Sequence, residues 1–418
     1  MDVDGRMEII RELCSFEGRL AGTDAERRAA NRLAQRLRES GRKAEVEPIY
    51  VHPQYGLVHT VHCLLGFVGS LISISIAPLG FGLVLVAATS TYLDLNYRLY
   101  LVRSLLFRRA SQNVVSPGSR PGAPACLVLC AHVDAARSGA VFSPARARLG
   151  ARIAHRSPVP LGLFRLLFWS LAILLPLLGA RMAGVDSGLL SLAQLVPTLI
   201  LLVGVFALIE IELSPIVPGA NDNASGVATA LSLAGELDRE PPENLDVWVV
   251  LDGGEECLQE GMRAFLRAHR QGFDRASTFF VSLDAVGHGE LRFETTAGWA
   301  VSYAMDRRLV ELCAAIADAT DLGAAPLAQG MAADSIAARL AGYRAIGLTC
   351  REPDGTIANR HLPTDRPEEI DPEALERAHS FTLELVRQLD RDLGRHGAAG
   401  DEPRPRRRRR RSLMEVGA

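Results

Sequence analysis

Acidic and histidine residues follow three apolar runs of this 418-residue sequence, at the points where buried strands would end. His132 follows the run ACLVLCA, Glu255 and Glu256 follow LDVWVVLDGG, and Asp284 follows STFFVSL. Short, uninterrupted apolar runs are typical of strands inside a sheet. Ligands of an open α/β sheet bind beyond the carboxyl ends of its strands. We therefore expect these side chains to meet at one edge of a sheet, where they could bind metal ions.

A further acidic residue, Asp222, lies in the segment GANDNASG, whose small residues allow the backbone to approach a ligand closely. Two divalent cations repel each other, and a bridging carboxylate offsets this repulsion while holding them about 3.5–4 Å apart. With His132 and a second histidine, His361, each ion would take one histidine and one further carboxylate. The residue types therefore suit a site for two metal ions bridged by Asp222.

The adjacent carboxylates Glu255 and Glu256 suit a division of roles. Neighbouring side chains point in different directions, so one can bind a metal while the other reaches a water molecule as a general base. Each acid taken singly also has an ordinary explanation, because the helix dipole favours acids at helix starts. Only the whole set indicates catalysis.

The motifs around these residues resemble those of the M28 zinc peptidases, a family of di-zinc aminopeptidases. Five segments match the family pattern in order, and the opening segment EGRLAGTDAERRAANRLAQRLRESG also resembles the start of its members. The five segments are HVD at His132, GANDNASG at Asp222, DGGEE at Glu255 and Glu256, SLDAVG at Asp284 and HLPTD at His361. This resemblance covers essentially all of the polar part of the sequence.

The resemblance implies a role for each ligand. His132 and Asp284 would bind one zinc ion, Glu256 and His361 would bind the other, and Asp222 would bridge the two. Manganese or cobalt could replace zinc, because an oxygen-rich site with two histidines also accepts these metals.

The resemblance also assigns residues that do not bind metal. Glu255 would be the general base. Asp134 would orient the ring of His132 without binding a metal itself. Asp365 would brace the loop that carries His361. Asp334 resembles an aspartate that family members carry late in the chain.

Helical and strand patterns alternate through the polar part of the sequence. Thr23 and Asp24 can cap a helix that runs to Glu39, and several helix–strand units follow one another between 214 and about 393. Such alternation predicts an α/β fold with a mixed, mainly parallel sheet and helices on both faces. The family resemblance implies the same fold, that of the zinc aminopeptidases.

Two apolar regions, 57–95 and 161–208, interrupt this pattern. A membrane helix needs about 20 apolar residues to cross roughly 30 Å of hydrocarbon. Each region is long enough for a helical hairpin, the first with a break expected between Pro78 and Gly80. We predict two transmembrane hairpins, hence four spans. For the first region the alternative is a buried hairpin in a soluble core.

The predicted organisation therefore has six parts, and the last one is disordered and rich in arginine. They are peptidase residues 1–56, hairpin 57–100, a first-ligand strand with a basic loop at 110–157, hairpin 158–213, the main peptidase domain 214–395, and the tail 396–418. The tail could simply be solvated, or it could contact anionic lipid headgroups, which is worth about 1 kcal/mol per basic residue near the surface. Nucleic-acid binding has no support elsewhere in the sequence.

Both hairpins return the chain to the side it left, so all polar segments share one side of the membrane. Arginines cluster on that side, which the positive-inside rule makes cytoplasmic. The start of the sequence, MDVDGRMEIIREL, lacks the pattern of a secretory signal. The seven cysteines are not densely spaced and favour a reducing compartment over a disulfide framework. We predict a catalytic domain in the cytoplasm.

These observations predict a membrane-anchored metallopeptidase that removes N-terminal residues from peptides, using two zinc ions to activate water and Glu255 as the base. One alternative is a single-zinc acyltransferase like the glutaminyl cyclases. Another is a non-catalytic membrane scaffold that retains the peptidase fold. A transporter is disfavoured, because the spans carry few of the charges that transport sites need.

Overall fold

The computed structural model of the protein describes residues 1–156 and 162–397. All but the first two residues of the predicted Arg-rich tail, 396–418, lie outside this part, and so do the first positions of the second predicted hairpin. The described helices are α1 (Val3–Cys14), α2 (Asp24–Glu39), α3 (Tyr55–Ile72), α4 (Ala77–Leu95), α5 (Pro144–Arg156), α6 (Leu163–Met182), α7 (Gly188–Leu213), α8 (Gly226–Arg239), α9 (Glu260–Ala268), α10 (Arg307–Ala319), α11 (Asp334–Leu340) and α12 (Pro372–His396). The described strands are β1 (Glu45–Val51), β2 (Arg109–Ser116), β3 (Ala125–His132), β4 (Leu245–Asp252), β5 (Thr278–Leu283), β6 (Glu290–Ala297), β7 (Tyr303–Ala304), β8 (Ala325–Ala328) and β9 (Arg344–Arg351).

The strands form one mixed sheet in the order β1-β2-β4-β3-β5-β9-β6-β7, with β8 paired to β6. Its four central strands, β4, β3, β5 and β9, run parallel to one another. Most pairings nearer the edges are antiparallel. Parallel pairing places the carboxyl ends of the central strands at the same edge, and there His132 of β3 is in register with Asp252 of β4.

Helices cover both faces of the sheet because the central strands are apolar on both sides. Along β3, Leu127 and Leu129 pack into a core shared with α8 and α12. The alternate residues Val128 and Cys130 face the opposite core, which α9 and α11 cover. This two-sided burial explains why ACLVLCA is an uninterrupted apolar run rather than an alternating one.

Helices α3, α4, α6 and α7 pack together as a separate bundle. Among the described residues, these four helices are long and apolar enough to cross a membrane. Small residues allow their close approach, since a Cβ atom on Gly66 would lie only 2.2 Å from Cδ2 of Leu171. The apolar core of the bundle extends beyond its helices to Leu258 and Ala300, which lie in loops at the sheet edge.

Three local expectations differ from the structure. The turn between α3 and α4 lies at 73–76, and Pro78 belongs to the first turn of α4, where a missing N–H breaks no helical hydrogen bond. The predicted basic loop contains the helix α5. Strand β2 has no counterpart in the prediction, because five of the eight residues in its sequence RASQNVVS are polar. Two of its buried polar side chains, Ser111 and Asn113, donate hydrogen bonds to distant segments.

Candidate metal centre

The predicted metal ligands all lie at the carboxyl edge of the central strands. His132 is the last residue of β3, Asp284 directly follows β5, and the loop after β4 carries Glu255 and Glu256. Asp222 and His361 reach the same place from loops outside the sheet. The structure therefore brings together the residues that the sequence singled out.

Asp222 lies between the two histidines. Its Oδ1 atom is 3.2 Å from Nε2 of His132, and its Oδ2 atom is 3.4 Å from Nε2 of His361. On the first side, His132 Nε2 is also 3.9 Å from Oδ1 of Asp284. On the second, His361 Nε2 is 3.4 Å from Oε1 of Glu256. Each oxygen of Asp222 thus faces a different set of metal-type ligands.

Two groups of three ligands share this aspartate. In each group the ligand atoms lie within 4.8 Å of one another, and the groups are His132, Asp222 and Asp284, and Asp222, Glu256 and His361. Nε2 of His132 and both ring nitrogens of His361 are buried without a hydrogen-bond partner. Buried polar atoms are nearly always satisfied, so these nitrogens fit a site that holds cations. The donor set, imidazole with carboxylate, suits zinc.

The pKa shifts of residues in the centre also indicate a site for cations. Burial raises the pKa of Glu255 well above its usual range, and the neighbouring Glu256, Asp334 and Asp284 add to the rise. Burial alone would lower the pKa of His132, but Glu255 and other carboxylates raise it well above its usual value. Without metal, Glu255 would therefore retain a proton. Bound divalent cations would supply the positive charge that a retained proton otherwise supplies.

Asp134 holds the loop that carries the glutamate pair. Its two carboxylate oxygens accept hydrogen bonds of 3.1 Å from the backbone N–H groups of Glu255 and Glu256. Nδ1 of His132 lies 3.1 Å from the backbone oxygen of Asp134 and 3.6 Å from its Oδ1. The residue thus contacts both the histidine and the glutamate loop, whereas the sequence indicated only the histidine.

Asp365 joins the loops of His361 and Asp222. Its carboxylate accepts hydrogen bonds from the backbone N–H groups of Asn221 at 2.7 Å and of Asp222 at 3.1 Å. Asp334, the aspartate noted late in the sequence, is fully buried beside Asp252. Burial is the main cause that raises the pKa of Asp252, to about 8.

Two residues of the centre were missed by sequence reasoning. Gln259 donates from Nε2 to Oε1 of Glu255, and its own Oε1 accepts a 3.0 Å hydrogen bond from Nε1 of Trp299. Arg19, which is buried, donates to the backbone oxygens of Val133 at 2.7 Å and Gly219 at 3.0 Å. Arg19 lies in the opening segment that resembled the family, whereas no local signal marks Gln259.

A cavity of about 80 Å³ opens onto the ligands. One wall contains the carboxylates and His361. Another is apolar and comes from the ends of the bundle helices, with Tyr55 of α3, Phe164 of α6 and Ile211 of α7. The bundle therefore contributes directly to the walls of the site.

The family model for Peptidase family M28 matches residues 207–386, which include Asp222, the glutamate pair, Asp284 and His361. This segment is therefore similar to peptidases of family M28. The resemblance inferred from the motifs is therefore confirmed. No curated protein matches the sequence.

Solved structures of zinc peptidases share the fold around this M28 segment. A zinc aminopeptidase from Bacillus subtilis superposes with a TM-score of 0.54 at 13% identity, covering 93% of this chain and 95% of that one. A Zn-dependent exopeptidase from Parabacteroides distasonis gives 0.52 at 15% identity, covering 92% and 97%. A glutaminyl cyclase from Bacteroides thetaiotaomicron gives the same values. The predicted fold class, a mixed α/β sheet of the zinc aminopeptidase type, is confirmed.

Proposed function

We propose that the protein is a membrane-anchored, two-zinc metallopeptidase that removes residues from the N-termini of peptides. The observation that carries the proposal is the sharing of Asp222 between two ligand groups. A single ion would need only one of these groups, and the second would then be a costly cluster of buried carboxylates without compensating charge. The match of residues 207–386 to the M28 family model supports a peptidase in general terms.

When bound, the zinc ions would polarise the scissile carbonyl and lower the pKa of the attacking water. Glu255 would take the proton of that water and pass it to the leaving nitrogen as the C–O bond forms and the C–N bond breaks. Gln259 and Asp134 would hold Glu255 in place, the first through its carboxylate and the second through its backbone N–H.

Membrane anchoring rests on the outer surface of the bundle. Val203 and Phe206 of α7 are each 66% exposed, and Ile74, in the turn after α3, is 63% exposed. A bundle surrounded by water would carry polar residues at such positions, whereas lipid favours apolar ones. We place the peptidase domain in the cytoplasm, with the Arg-rich tail on the same side near anionic lipids.

The orientation is tested by cysteine labelling. A cysteine introduced at Asp186, in the turn between α6 and α7, should react with an impermeant maleimide on intact cells. A cysteine at Glu311, an exposed residue of α10, should react only after the membrane is opened. The reverse pattern would contradict the cytoplasmic placement.

The activity is tested with purified protein in detergent. Zinc-loaded enzyme should hydrolyse aminoacyl substrates, a chelator should abolish hydrolysis, and added zinc should restore it. The Glu255→Gln variant should lose roughly 100-fold or more of the activity while keeping its metal. The exposed Glu311→Gln is the matched control and should behave like wild type. Full activity of Glu255→Gln would refute the assigned base. Hydrolysis that a chelator does not affect would refute the metal mechanism, and an inactive wild type would favour a scaffold.

A glutaminyl-cyclase-like reaction is the second candidate, because a glutaminyl cyclase shares the fold. Such an enzyme would release ammonia from an N-terminal glutamine and would need only one zinc. Metal analysis together with an assay on a glutaminyl peptide separates the two candidates. About two ions per chain and no cyclisation would favour the peptidase.

A further inference from the structure

Arg351, the last residue of β9, is a buried cation at the metal-bearing edge of the sheet. It is 4% exposed and lines the cavity beside Asp222 and Asp284. Its hydrogen bonds go to neutral groups, at 2.9 Å to Oγ1 of Thr349, at 3.0 Å to the backbone oxygen of Cys350, and to Oε1 of Gln329. None of the described carboxylates forms an ion pair with it. Buried arginines are rarely left in this state.

The acids Asp284 and Glu294 both favour the charged form of Arg351, and Glu294 is linked to it by hydrogen bonds through Gln329. Gln329, which accepts from Arg351, donates from Nε2 to Oε1 of Glu294 at 2.7 Å, and Ser335 donates to the other oxygen at 2.7 Å. Burial raises the pKa of Glu294 to about 7. At neutral pH this carboxyl group therefore offers only part of a negative charge. The chain Arg351–Gln329–Glu294 holds the guanidinium in place without neutralising it.

A second cation, Arg360, lines the same cavity. Its Nη1 donates to Sδ of Met331 at 2.9 Å, and its Nε is 3.8 Å from Oδ2 of Asp222, the proposed bridging ligand. Burial, and after it the charge of Arg360, lowers the pKa of Arg351 to about 10. The two guanidinium groups therefore repel each other across the cavity. An anion between them would relieve this repulsion.

The charge balance of the loaded site leads to the same conclusion. Asp222, Glu255, Glu256 and Asp284 are the ionisable acids among the described residues that line the cavity. Two divalent ions would offset their charge and leave both arginines unbalanced. A cavity of this charge favours a substrate that carries a negative group.

We propose that Arg351 and Arg360 bind a free carboxylate of the substrate next to the scissile bond. The inference rests on the proposed peptidase function and narrows its substrates to short peptides. In a dipeptide the carboxylate would be the α-carboxylate of the released residue, and the side chain of the first residue would face Tyr55 and Phe164. The other source of a carboxylate is an acidic first residue.

Binding is measured on the Glu255→Gln variant loaded with zinc, which keeps the substrate intact. The dipeptide Leu-Ala should bind about 10-fold to 100-fold more tightly than Leu-Ala amide, because a hydrogen bond to a charged group is lost in the amide. In a Glu255→Gln, Arg360→Met background this preference should largely disappear. Arg307→Met, a change of an exposed arginine on α10, is the matched control and should leave the preference unchanged.

Steady-state kinetics test the contribution of Arg351. Arg351→Met should raise KM for Leu-Ala with little effect on the hydrolysis of Leu-Ala amide, whereas a fold defect would reduce both. Arg351→Lys keeps a positive charge and should recover part of the loss. The metal content of each variant reports whether the centre is intact.

A second pair of substrates shows whether the bound carboxylate is the α-carboxylate of a dipeptide or the side chain of an acidic first residue. If Glu-Ala amide is preferred over Gln-Ala amide with the same dependence on Arg360, the carboxylate site serves the first residue. Equal binding of acid and amide in both pairs would overturn the inference. A binding preference without any hydrolysis by wild type would support the carboxylate site and contradict the peptidase function, so the two failures are distinguishable.

Discussion

The guanidinium group of Arg103 binds both carboxylate oxygens of Asp94, with Nη2 2.7 Å from Oδ1 and Nε 3.0 Å from Oδ2. Asp94 belongs to the last turn of α4, one of the candidate membrane helices. The same guanidinium donates from Nη1 to the backbone oxygen of Cys257 at 3.0 Å, directly after Glu256. A buried ion pair therefore ties the end of a bundle helix to the loop that carries the proposed base.

Removing one member of this pair should destabilise the protein strongly. Arg103→Met leaves Asp94 buried without its partner, and breaking such a pair typically costs about 3–5 kcal/mol. We expect a large fall in the temperature of thermal unfolding in detergent. The exposed pair of Arg307 and Glu311 is the control, and Arg307→Met should change this temperature little. Equal stability of Arg103→Met and wild type would mean that the pair contributes nothing net.

The meeting of the candidate ligands at one edge could be predicted because several of them follow strands with a strong apolar signal. His132 and Asp284 come directly after buried runs, and parallel strands must bring such positions to one edge. Asp222 and His361 were singled out by residue type and then by the family motifs, because their loops carry no strand signal of their own.

The contacts between distant segments could not be predicted. Gln259 holds Glu255 from a position with a left-handed backbone, at a φ of 55°. Arg103 reaches Asp94 and Cys257 only because the bundle packs on the sheet edge. Neither side chain differs by pattern from an ordinary polar residue, so its role depends on tertiary structure alone. The helix α5 was missed for a related reason, since its arginines indicated a loop.

Asp134→Asn should weaken metal binding although Asp134 is not a proposed ligand. The amide replaces one acceptor of the backbone N–H groups of Glu255 and Glu256 with a donor, so one of the 3.1 Å hydrogen bonds is lost. Partners that orient ligands typically contribute about 10-fold to 100-fold in metal affinity. Zinc titration against a competing chelator measures the change.

The control for this variant is Asp306→Asn. Asp306 also accepts a backbone hydrogen bond, 3.2 Å from the N–H of Leu309, but it caps α10 away from the ligands. Asparagine is as good a helix cap as aspartate, so metal affinity should stay at the wild-type value. If both variants lost metal equally, the effect would be general and not specific to Asp134.

The number of bound ions should depend on which ligand is removed. His361→Ala removes a ligand from one group only, so about one ion per chain should remain of about two. Asp222→Asn weakens the residue that both groups share and should lower the occupancy of both sites. Metal analysis after dialysis at a fixed low zinc concentration measures this, with His288→Ala, outside both groups, as control. An identical loss from His361→Ala and Asp222→Asn would contradict the bridging role.

Glu294→Gln should change how stability depends on pH. Burial raises the pKa of Glu294 from 4.5 to about 7, so the folded protein keeps a proton that the unfolded chain has already released. Folding therefore becomes less favourable as pH rises from about 4.5 to about 7, by up to about 3 kcal/mol, and the loss is constant at higher pH. Glutamine stays neutral in both states and can still bond Gln329 and Ser335.

The gap in unfolding temperature between Glu294→Gln and wild type should accordingly widen in favour of the variant from about pH 5 to about pH 8. Taking the difference cancels the titration of all groups that the two proteins share, including the metal ligands. Glu311→Gln changes an exposed carboxylate, so the difference between its unfolding temperature and that of wild type should stay constant over the same pH range. A gap that stays constant with pH would mean that Glu294 is ionised in the folded protein, and its charge would then partly neutralise Arg351.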